Sequence, residues 1–176
     1  ANEVLGNGFL SRLNMDLRED KGWSYGVRSG VPAPVGPRSF TIAAPVQADK
    51  TGESVRLLLA DMTAFPARKP VTAEELNRVT DGNIRGLPSQ YQTNVQVLQA
   101  VIANERLGRP DDYQVTLPTR YRAIDATAIN TAAKSWLQPE GLVFVIVGDR
   151  KVIEPQLQGL GLPVEFAALG QQRPQG

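Results

Sequence analysis

Arg18 and Tyr25 are the two side chains of this sequence whose types and spacing could serve chemistry. A guanidinium and a phenol both donate hydrogen bonds, and neither carries negative charge at neutral pH. A helix that ends near Arg18 and a strand that contains Tyr25 would bring this donor pair together. A structural role stays open on spacing alone, because Arg18 could offset the dipole at a helix C-terminus while Tyr25 packs in a sheet.

The elements needed to position the donor pair are visible in the surrounding residues. Leu10, Leu13 and Leu17 recur at helical spacing and share one face of a helix. Gly22 can end that helix, because glycine readily takes the left-handed conformation that closes a helix. Residues 23–31 then begin with the alternation typical of a strand. The sequence therefore predicts a helix–turn–strand hairpin that carries both donors.

The composition excludes several classes of site. The chain has 176 residues and a net charge of +1, so nothing in its charge favours binding to nucleic acid or to a membrane surface. It contains neither cysteine nor histidine. Disulfides are therefore excluded, and zinc would need carboxylate ligands alone, which is unusual for this metal. The length suits one domain with a substantial core. We place this domain at residues 1–170 and expect a disordered tail at residues 171–176.

The remaining periodicity predicts an α+β fold. A second strand, antiparallel to the first, is expected at residues 38–46, and a short strand at 163–166. A continuous apolar run at 142–149 predicts a central buried strand. Helices are predicted at residues 48–65, 73–86, 90–107, 111–122, 126–137 and 152–157. The expected architecture is a two-layer sandwich, with a mixed or antiparallel sheet covered on one face by helices.

Two of these helices carry more specific predictions. Thr72 and Glu75 have the spacing of a capping box at the start of the helix at 73–86. The helix at 90–107 is expected to turn four apolar side chains toward the core: Val97, Leu98, Val101 and Ile102.

The string LGNGFLSRLNMDLREDKGWSYGVRS, which begins at Leu5, resembles a segment of the insulinase/pitrilysin metallopeptidases, the inverted zincins. In the non-catalytic, C-terminal-type domain of that family the segment reads lG-x-G-x-x-S-R-L-x-x-x-L-R-x-x-x-G-x-x-Y and precedes two paired strands. The matching positions are Gly6, Gly8, Ser11, Arg12, Leu13, Leu17, Arg18, Gly22 and Tyr25. A weaker resemblance extends to about residue 150. Domains of the family begin with a further strand and helix upstream, so the resemblance implies that an N-terminal segment or another chain completes the sheet.

The resemblance also implies a role for the donor pair. In the family an Arg and a Tyr at these positions hydrogen-bond the substrate backbone and help to polarise the scissile carbonyl at the zinc, where a tetrahedral intermediate gains negative charge. Catalysis there needs an H-x-x-E-H motif and a downstream Glu to hold zinc and activate water. This chain has no histidine, so it cannot contain that motif and is expected to be inactive alone.

By this resemblance the chain is the non-catalytic domain or subunit of a zinc-dependent peptidase. Arg18 and Tyr25 would bind the substrate peptide and complete a shared active site, and no metal or cofactor is expected on this chain. Zinc and the H-x-x-E-H motif would belong to a partner domain or subunit of the same family. The compartment stays open; the bacterial periplasm is favoured, and the cytoplasm is the alternative.

Two alternatives to this function stay open. The chain could be a structural or assembly domain of the same fold, with no part in peptide hydrolysis. It could also be a free-standing peptide-binding module, in which residues 38–46 or 23–31 offer a strand edge to an extended peptide. No stretch of the sequence approaches the roughly 18 apolar residues of a membrane span.

Overall fold

The computed structural model describes residues 1–31 and 39–167, which form a mainly helical α+β fold. Eight α-helices, α1 to α8, lie within them at Asn2–Leu5, Arg12–Asn14, Thr51–Ala67, Ala73–Gly86, Asn94–Arg106, Tyr113–Arg122, Ala126–Trp136 and Arg150–Leu157. Helix α2 continues directly into a π-helix at Met15–Asp20, and short 3-10 turns occur at Ala48–Lys50, Pro88–Tyr91, Pro139–Gly141 and Gln158–Leu160. The predicted fold class is confirmed. The tail predicted at 171–176 and the first residue of the strand predicted at 38–46 lie outside the described residues.

The sheet within the described residues consists of two antiparallel strands, β1 at Arg28–Gly30 and β2 at Thr41–Ala43. The register pairs Arg28 with Ala43, Ser29 with Ile42 and Gly30 with Thr41. The antiparallel pairing agrees with the prediction, although both strands are shorter than predicted.

The first strand is short because the residues before it bond elsewhere. An isolated bridge joins Ser24 to Val46 on the far side of the interruption. Between this bridge and β1, the backbone N–H and carbonyl of Val27 both bond to the side chain of Asn14. The strand predicted at 23–31 is therefore confirmed only near its end.

The hydrophobic core lies between the N-terminal helices and α3, and α3 also packs against α7 and α8. Leu13 and Leu17 are fully buried, as predicted for the inner face of the first amphipathic helix. Leu10, which was predicted to share that face, precedes α2 and is 49% exposed. The buried cluster comprises Val4, Leu5, Leu13, Leu17, Val27, Leu58, Met62, Phe65, Val71, Ile129, Ala133 and Leu137.

Side chains cap the starts of two further helices. The Thr72 hydroxyl accepts a hydrogen bond from the Glu75 N–H at 3.2 Å, and the Glu75 carboxylate accepts one from the Thr72 N–H at 2.9 Å. This reciprocal pair is the predicted capping box at the start of α4. At the start of α7, the Asp125 carboxylate accepts a hydrogen bond from the Ala128 N–H at 2.7 Å.

Helix α5 is rotated away from the predicted orientation. The four side chains expected to face the core are between 46% and 59% exposed: Val97, Leu98, Val101 and Ile102. The buried side of α5 instead carries Asn104, whose side-chain amide exchanges hydrogen bonds of 2.8 and 2.9 Å with Gln114 of α6. Because a buried amide keeps its hydrogen-bond partners, this pair favours the observed rotation. The four apolar side chains, here termed the α5 stripe, are left on the outside.

The buried strand predicted at 142–149 is not formed within the described residues, and this prediction is wrong. Leu142 and Phe144 pack against the core, but the alternate side chains do not. Those alternate side chains are 85%, 85% and 89% exposed: Val143, Val145 and Val147. The backbone of residues 143–148 makes no hydrogen bond within the described part of the chain. Because a strand is held by bonds to a neighbour, the apolar run alone does not produce one. The strand predicted at 163–166 is likewise not among the described strands.

Candidate functional site

Arg18 lies in the π-helix at Met15–Asp20, shortly before the stop predicted at Gly22. The Gly22 N–H donates to the Arg18 carbonyl at 3.1 Å, and Gly22 takes a left-handed φ of 64°. The Trp23 N–H then donates to the Leu17 carbonyl at 2.9 Å. The predicted glycine stop is confirmed, and it turns the chain back alongside the end of the helix.

Tyr25 follows this turn and is 93% exposed, so it does not pack in the sheet. The Arg18 guanidinium carbon lies 5.8 Å from the centroid of the Tyr25 ring. Arg18 also forms an ion pair with the neighbouring Glu19 at 3.5 Å, and both of these side chains reach the surface. The structure thus brings the two donors together and leaves the tyrosine hydroxyl accessible.

A third side chain, Phe9, completes this cluster and was not identified from the sequence. Its ring centroid lies 4.3 Å from the Arg18 guanidinium carbon, within the range of a cation–π contact. Phe9 is 63% exposed, so its ring forms part of the surface around the guanidinium. The available sequence signal was a large apolar residue directly after Gly8, outside the helical repeat. Arg18, Tyr25 and Phe9 together form the donor cluster.

Asn14 holds the parts of the cluster in place, and its side chain is buried (7% exposed). The side-chain nitrogen donates to the carbonyls of Gly8 and Val27, both at 2.8 Å, and the side-chain oxygen accepts from the Val27 N–H at 2.7 Å. On one side, Gly8 directly precedes Phe9. On the other side, Val27 follows Tyr25 by two residues. This Asn14 clamp therefore fixes the loop, the helix and the strand of the cluster relative to one another.

Arg12 anchors the start of α2 to α4. Its guanidinium donates to the two carboxylate oxygens of Glu75, each at 2.7 Å. Further N–H groups of the same guanidinium reach the carbonyls of Lys69 and Pro70. Burial alone would raise the pKa of Glu75, but hydrogen bonds from Arg12 and Thr72 lower this pKa to about 2. Glu75 is therefore ionised at neutral pH, and the anchor is a charge-assisted pair.

Two carboxyl groups meet where the π-helix packs against α3: Asp16 on the π-helix and Asp61 on α3. Asp61 is 8% exposed, and its Oδ2 atom has no hydrogen-bond partner within the described residues. Burial and the neighbouring Asp16 carboxyl raise the pKa of Asp61 to about 7, although Lys69 and Arg12 act in the opposite direction. Asp61 therefore binds a proton in acidic solution and releases it near neutral pH.

The donor cluster offers chemistry that differs from metal binding. Within residues 1–31 and 39–167, no group of three or more His, Cys, Asp or Glu side chains is arranged to hold a metal ion. The cluster instead combines a cation, a phenol and an aromatic ring, which suit an oxygen that is polarised or negatively charged. None of the helices in the described part of the chain is long and apolar enough to cross a membrane.

Residues 1–83 match the family model described as the peptidase M16 inactive domain. The matched region contains the whole donor cluster and the Asn14 clamp. The insulinase/pitrilysin resemblance predicted from the segment around Arg18 is therefore confirmed. No curated protein sequence matches this chain.

Solved structures show the same fold. A peptidase M16 inactive domain from Pseudomonas fluorescens has a TM-score of 0.70 at 21% identity, over 78% of this chain and 33% of that chain. A candidate zinc protease from Bordetella pertussis has a TM-score of 0.64 at 19% identity, over 78% and 75% of the two chains. A protease from Helicobacter pylori has a TM-score of 0.60 at 14% identity, over 78% and 33%. These similarities establish the fold, and this chain spans only about a third of the Pseudomonas and Helicobacter chains.

Proposed function

Because residues 1–83 match the family model of the peptidase M16 inactive domain, we propose that this chain is the non-catalytic part of a zinc-dependent peptidase and holds its substrate peptide. The observation that carries the proposal is the position of the Arg18 guanidinium, 4.3 Å from the Phe9 ring centroid and 5.8 Å from the Tyr25 ring centroid. The cluster presents a positioned cation and a phenol hydroxyl at an exposed surface.

A positioned cation beside a phenol suits the carbonyl oxygen of a peptide bond under attack. That oxygen gains negative charge in the tetrahedral intermediate, and preorganised donors stabilise it most at that stage. Hydrogen bonds from a charged donor are roughly twice as strong as neutral ones. The aromatic rings orient the guanidinium without neutralising it, and only one of its terminal nitrogens pairs with Glu19, so the other N–H groups can serve the substrate.

The zinc and the general base would come from a partner. This chain contains no histidine, so the H-x-x-E-H motif that binds zinc and activates water would lie on another domain or subunit of the family. Arg18 and Tyr25 would then reach the scissile peptide bond across a shared cleft. The proposal assigns zinc chemistry to the partner, and substrate orientation and oxyanion stabilisation to this chain.

The extended substrate would add to β2 rather than to β1. The outer edge of β1 is occupied, because the Ser29 N–H donates to the Gly6 carbonyl at 2.9 Å and the Asn14 clamp binds the preceding Val27. Within the described residues β2 pairs with β1 alone, so its other edge can bond to a peptide backbone. Of the two edges predicted from the sequence, we therefore assign the peptide to the one in residues 38–46.

The test is hydrolysis of an unstructured fluorogenic peptide, with zinc content measured in parallel. This chain is assayed alone and then mixed with the zinc-bearing domain or subunit encoded with it. Activity and zinc should appear only in the mixture. Arg18→Ala and Tyr25→Phe should each lower kcat by about 100- to 1000-fold without loss of assembly. Stoichiometric zinc and hydrolysis by this chain alone would contradict the proposal.

Arg28→Ala is the matched control for the arginine variant. Arg28 is an exposed arginine on β1 of the same hairpin and lies outside the donor cluster. Its removal changes the net charge as much as removal of Arg18 does, so activity should stay close to that of the parent protein. Equal losses in the two variants would indicate a general effect of positive charge and would remove the specific role of Arg18.

A structural or assembly role is the second candidate, and the exposed apolar surface favours it. This surface includes the α5 stripe and three valines: Val143, Val145 and Val147. Exposed apolar side chains in clusters of this kind often mark a protein–protein contact. A mixture that assembles but hydrolyses no peptide would select this role. Peptide binding by the chain alone, without zinc or partner, would select the free-standing module.

A further inference from the structure

A groove of about 400 Å³ lies beside the donor cluster, between residues 8–11 and helix α4. Its apolar lining comes from Phe9 and Leu10 on one side and from Val79 and Gly82 of α4 on the other. Phe9 is shared between the two features, because its ring also contacts the Arg18 guanidinium. The groove is therefore continuous with the surface that we assign to the substrate.

The polar side chains of the groove are already engaged with one another or with the backbone. Arg78 donates to the Leu10 carbonyl at 3.2 Å, and the Asn83 side-chain nitrogen donates to the Glu3 carboxylate at 2.8 Å. One positive and one negative side chain line the groove, so their charges balance. A charged ligand would gain no net attraction there, whereas an apolar group would cover surface that is otherwise exposed to water.

We propose that this groove is a side-chain subsite, which takes a large apolar residue of the peptide held by Arg18 and Tyr25. The proposal rests on the proposed function and goes beyond it, because it assigns a sequence preference to the non-catalytic chain. Successive residues of an extended peptide are about 3.3 Å apart. Phe9 lines the groove and also contacts the Arg18 guanidinium, so the bound side chain would belong to a residue close in the peptide to the carbonyl held by Arg18.

The size of the groove favours a side chain over a larger partner element. Pockets for small ligands begin at about 300 Å³, and a groove of about 400 Å³ is large enough for one bulky side chain. A docked helix would need a longer apolar trough, and the engaged Arg78 and Asn83 interrupt any such extension along α4. An aromatic or branched aliphatic residue of an extended peptide is the occupant that fits.

Two glycines of α4 provide a matched pair of variants. An added Cβ at Gly82 meets no atom within 4 Å, and the same is true at Gly86. Gly82 lines the groove, whereas Gly86 lies one helical turn further on and is not part of the lining. Leucine is a better helix former than glycine, so both Gly82→Leu and Gly86→Leu should fold. Only the first variant would fill the groove.

The experiment compares peptide substrates in the zinc-containing mixture of this chain and its partner. The positions on either side of the cleaved bond are varied one at a time. At each of them the fluorogenic peptides carry Leu, Phe, Ala or Asp. At one position the parent protein should prefer Leu or Phe. Gly82→Leu should lower kcat/KM for those peptides by about 10- to 100-fold, toward the value for the Ala peptide. Gly86→Leu should leave all values unchanged.

The outcomes separate this subsite from the donor role. The subsite is wrong if Gly82→Leu slows every peptide equally or slows none. The donor role then still stands, provided that Arg18→Ala lowers turnover as expected. If the mixture hydrolyses no peptide, fluorescence anisotropy measures binding of the Leu and Ala peptides to the same mixture. In that case the peptidase role fails. The subsite is still supported if Gly82→Leu, but not Gly86→Leu, weakens binding of the Leu peptide. Unchanged binding would overturn the subsite as well.

Discussion

Residues 12–31 are less rich in apolar side chains than residues 142–148, yet only the first region is anchored. In the first region Leu13 and Leu17 are fully buried, whereas Val145 in the second is 85% exposed. A helix makes its own backbone hydrogen bonds and needs only a surface that buries its apolar face. A strand needs that surface and a hydrogen-bonding neighbour as well. The less hydrophobic region therefore gives a stable element, whereas the more hydrophobic one leaves an exposed segment.

The two regions also differ in their hydrogen bonds. The Asn14 clamp supplies two hydrogen bonds to Val27 and one to the Gly8 carbonyl, all of 2.7–2.8 Å, and none of them depends on a sheet neighbour. The backbone of residues 143–148 makes no hydrogen bond within the described part of the chain. In this fold a buried side-chain amide does for the residues before β1 what a neighbouring strand would otherwise do.

The largest expected effect is the loss of a buried leucine. Leu17→Ala should lower the free energy of unfolding by about 2–5 kcal/mol, because burial is lost and a cavity remains. Val145→Ala should change it by less than about 0.5 kcal/mol, because the exposed valine gives up few contacts. Urea denaturation followed by circular dichroism measures both. Comparable losses in the two variants would show that residues 142–148 are covered in solution.

Removal of the clamp should have the next largest effect. Asn14→Ala leaves the Val27 N–H and the Gly8 carbonyl without partners and should lower the free energy of unfolding by about 2–3 kcal/mol. Hydrogen exchange of the Val27 amide should accelerate at the same time. Asn7→Ala, at an exposed position of the preceding loop, is the control and should change neither quantity. Unchanged protection of the Val27 amide in Asn14→Ala would mean that the clamp does not hold the strand.

The Arg12–Glu75 anchor should give a smaller, pH-dependent loss. Glu75 has a pKa of about 2 in the folded protein, below its ordinary value of 4.5. The pair therefore stabilises the fold above about pH 4.5, and this stabilisation disappears as the pH falls toward 2. Glu75→Gln should cost about 1–2 kcal/mol at pH 7 and little at pH 2, measured by urea denaturation at both values. Glu74→Gln, at an exposed position, should cost little at either pH.

The smallest expected effect is a gain from relieving the carboxyl contact in the anchored region. The pKa of Asp61 is raised from 3.8 to about 7, so the folded protein binds a proton that the unfolded chain releases near pH 4. Stability therefore falls as the pH rises from about 4 to 7. Asp61→Asn should raise the free energy of unfolding by about 1 kcal/mol at pH 8 and change it little at pH 3.5, below the ordinary pKa of an aspartate.

Asp49→Asn is the control for this pH dependence, because Asp49 is exposed. Its stability should follow the parent protein at both pH values. An Asp61→Asn variant that gains nothing at pH 8 would show that neither burial nor the Asp16 carboxyl raises the pKa of Asp61 in solution.

The determinants of the helix stop and of the capping box are local, which is why these two features were predictable. Gly22 ends the helix through its own left-handed φ, and the Thr72–Glu75 capping box closes over three residues. The roles of Phe9 and Asn14 were not predictable in this way. Asn14 acts on a carbonyl six residues before it and on a strand thirteen residues after it, and no pattern of hydrophobicity encodes those contacts.

Residue types and local spacing were enough to exclude an H-x-x-E-H motif, to place the glycine stop and to identify the family segment that carries Arg18 and Tyr25. Tertiary contacts decided the rotation of α5, through the buried Asn104–Gln114 pair, and left residues 143–148 without hydrogen bonds in the described part of the chain. The physical reason is that capping and turn formation involve neighbours in the chain, whereas burial and strand pairing depend on which distant surfaces meet.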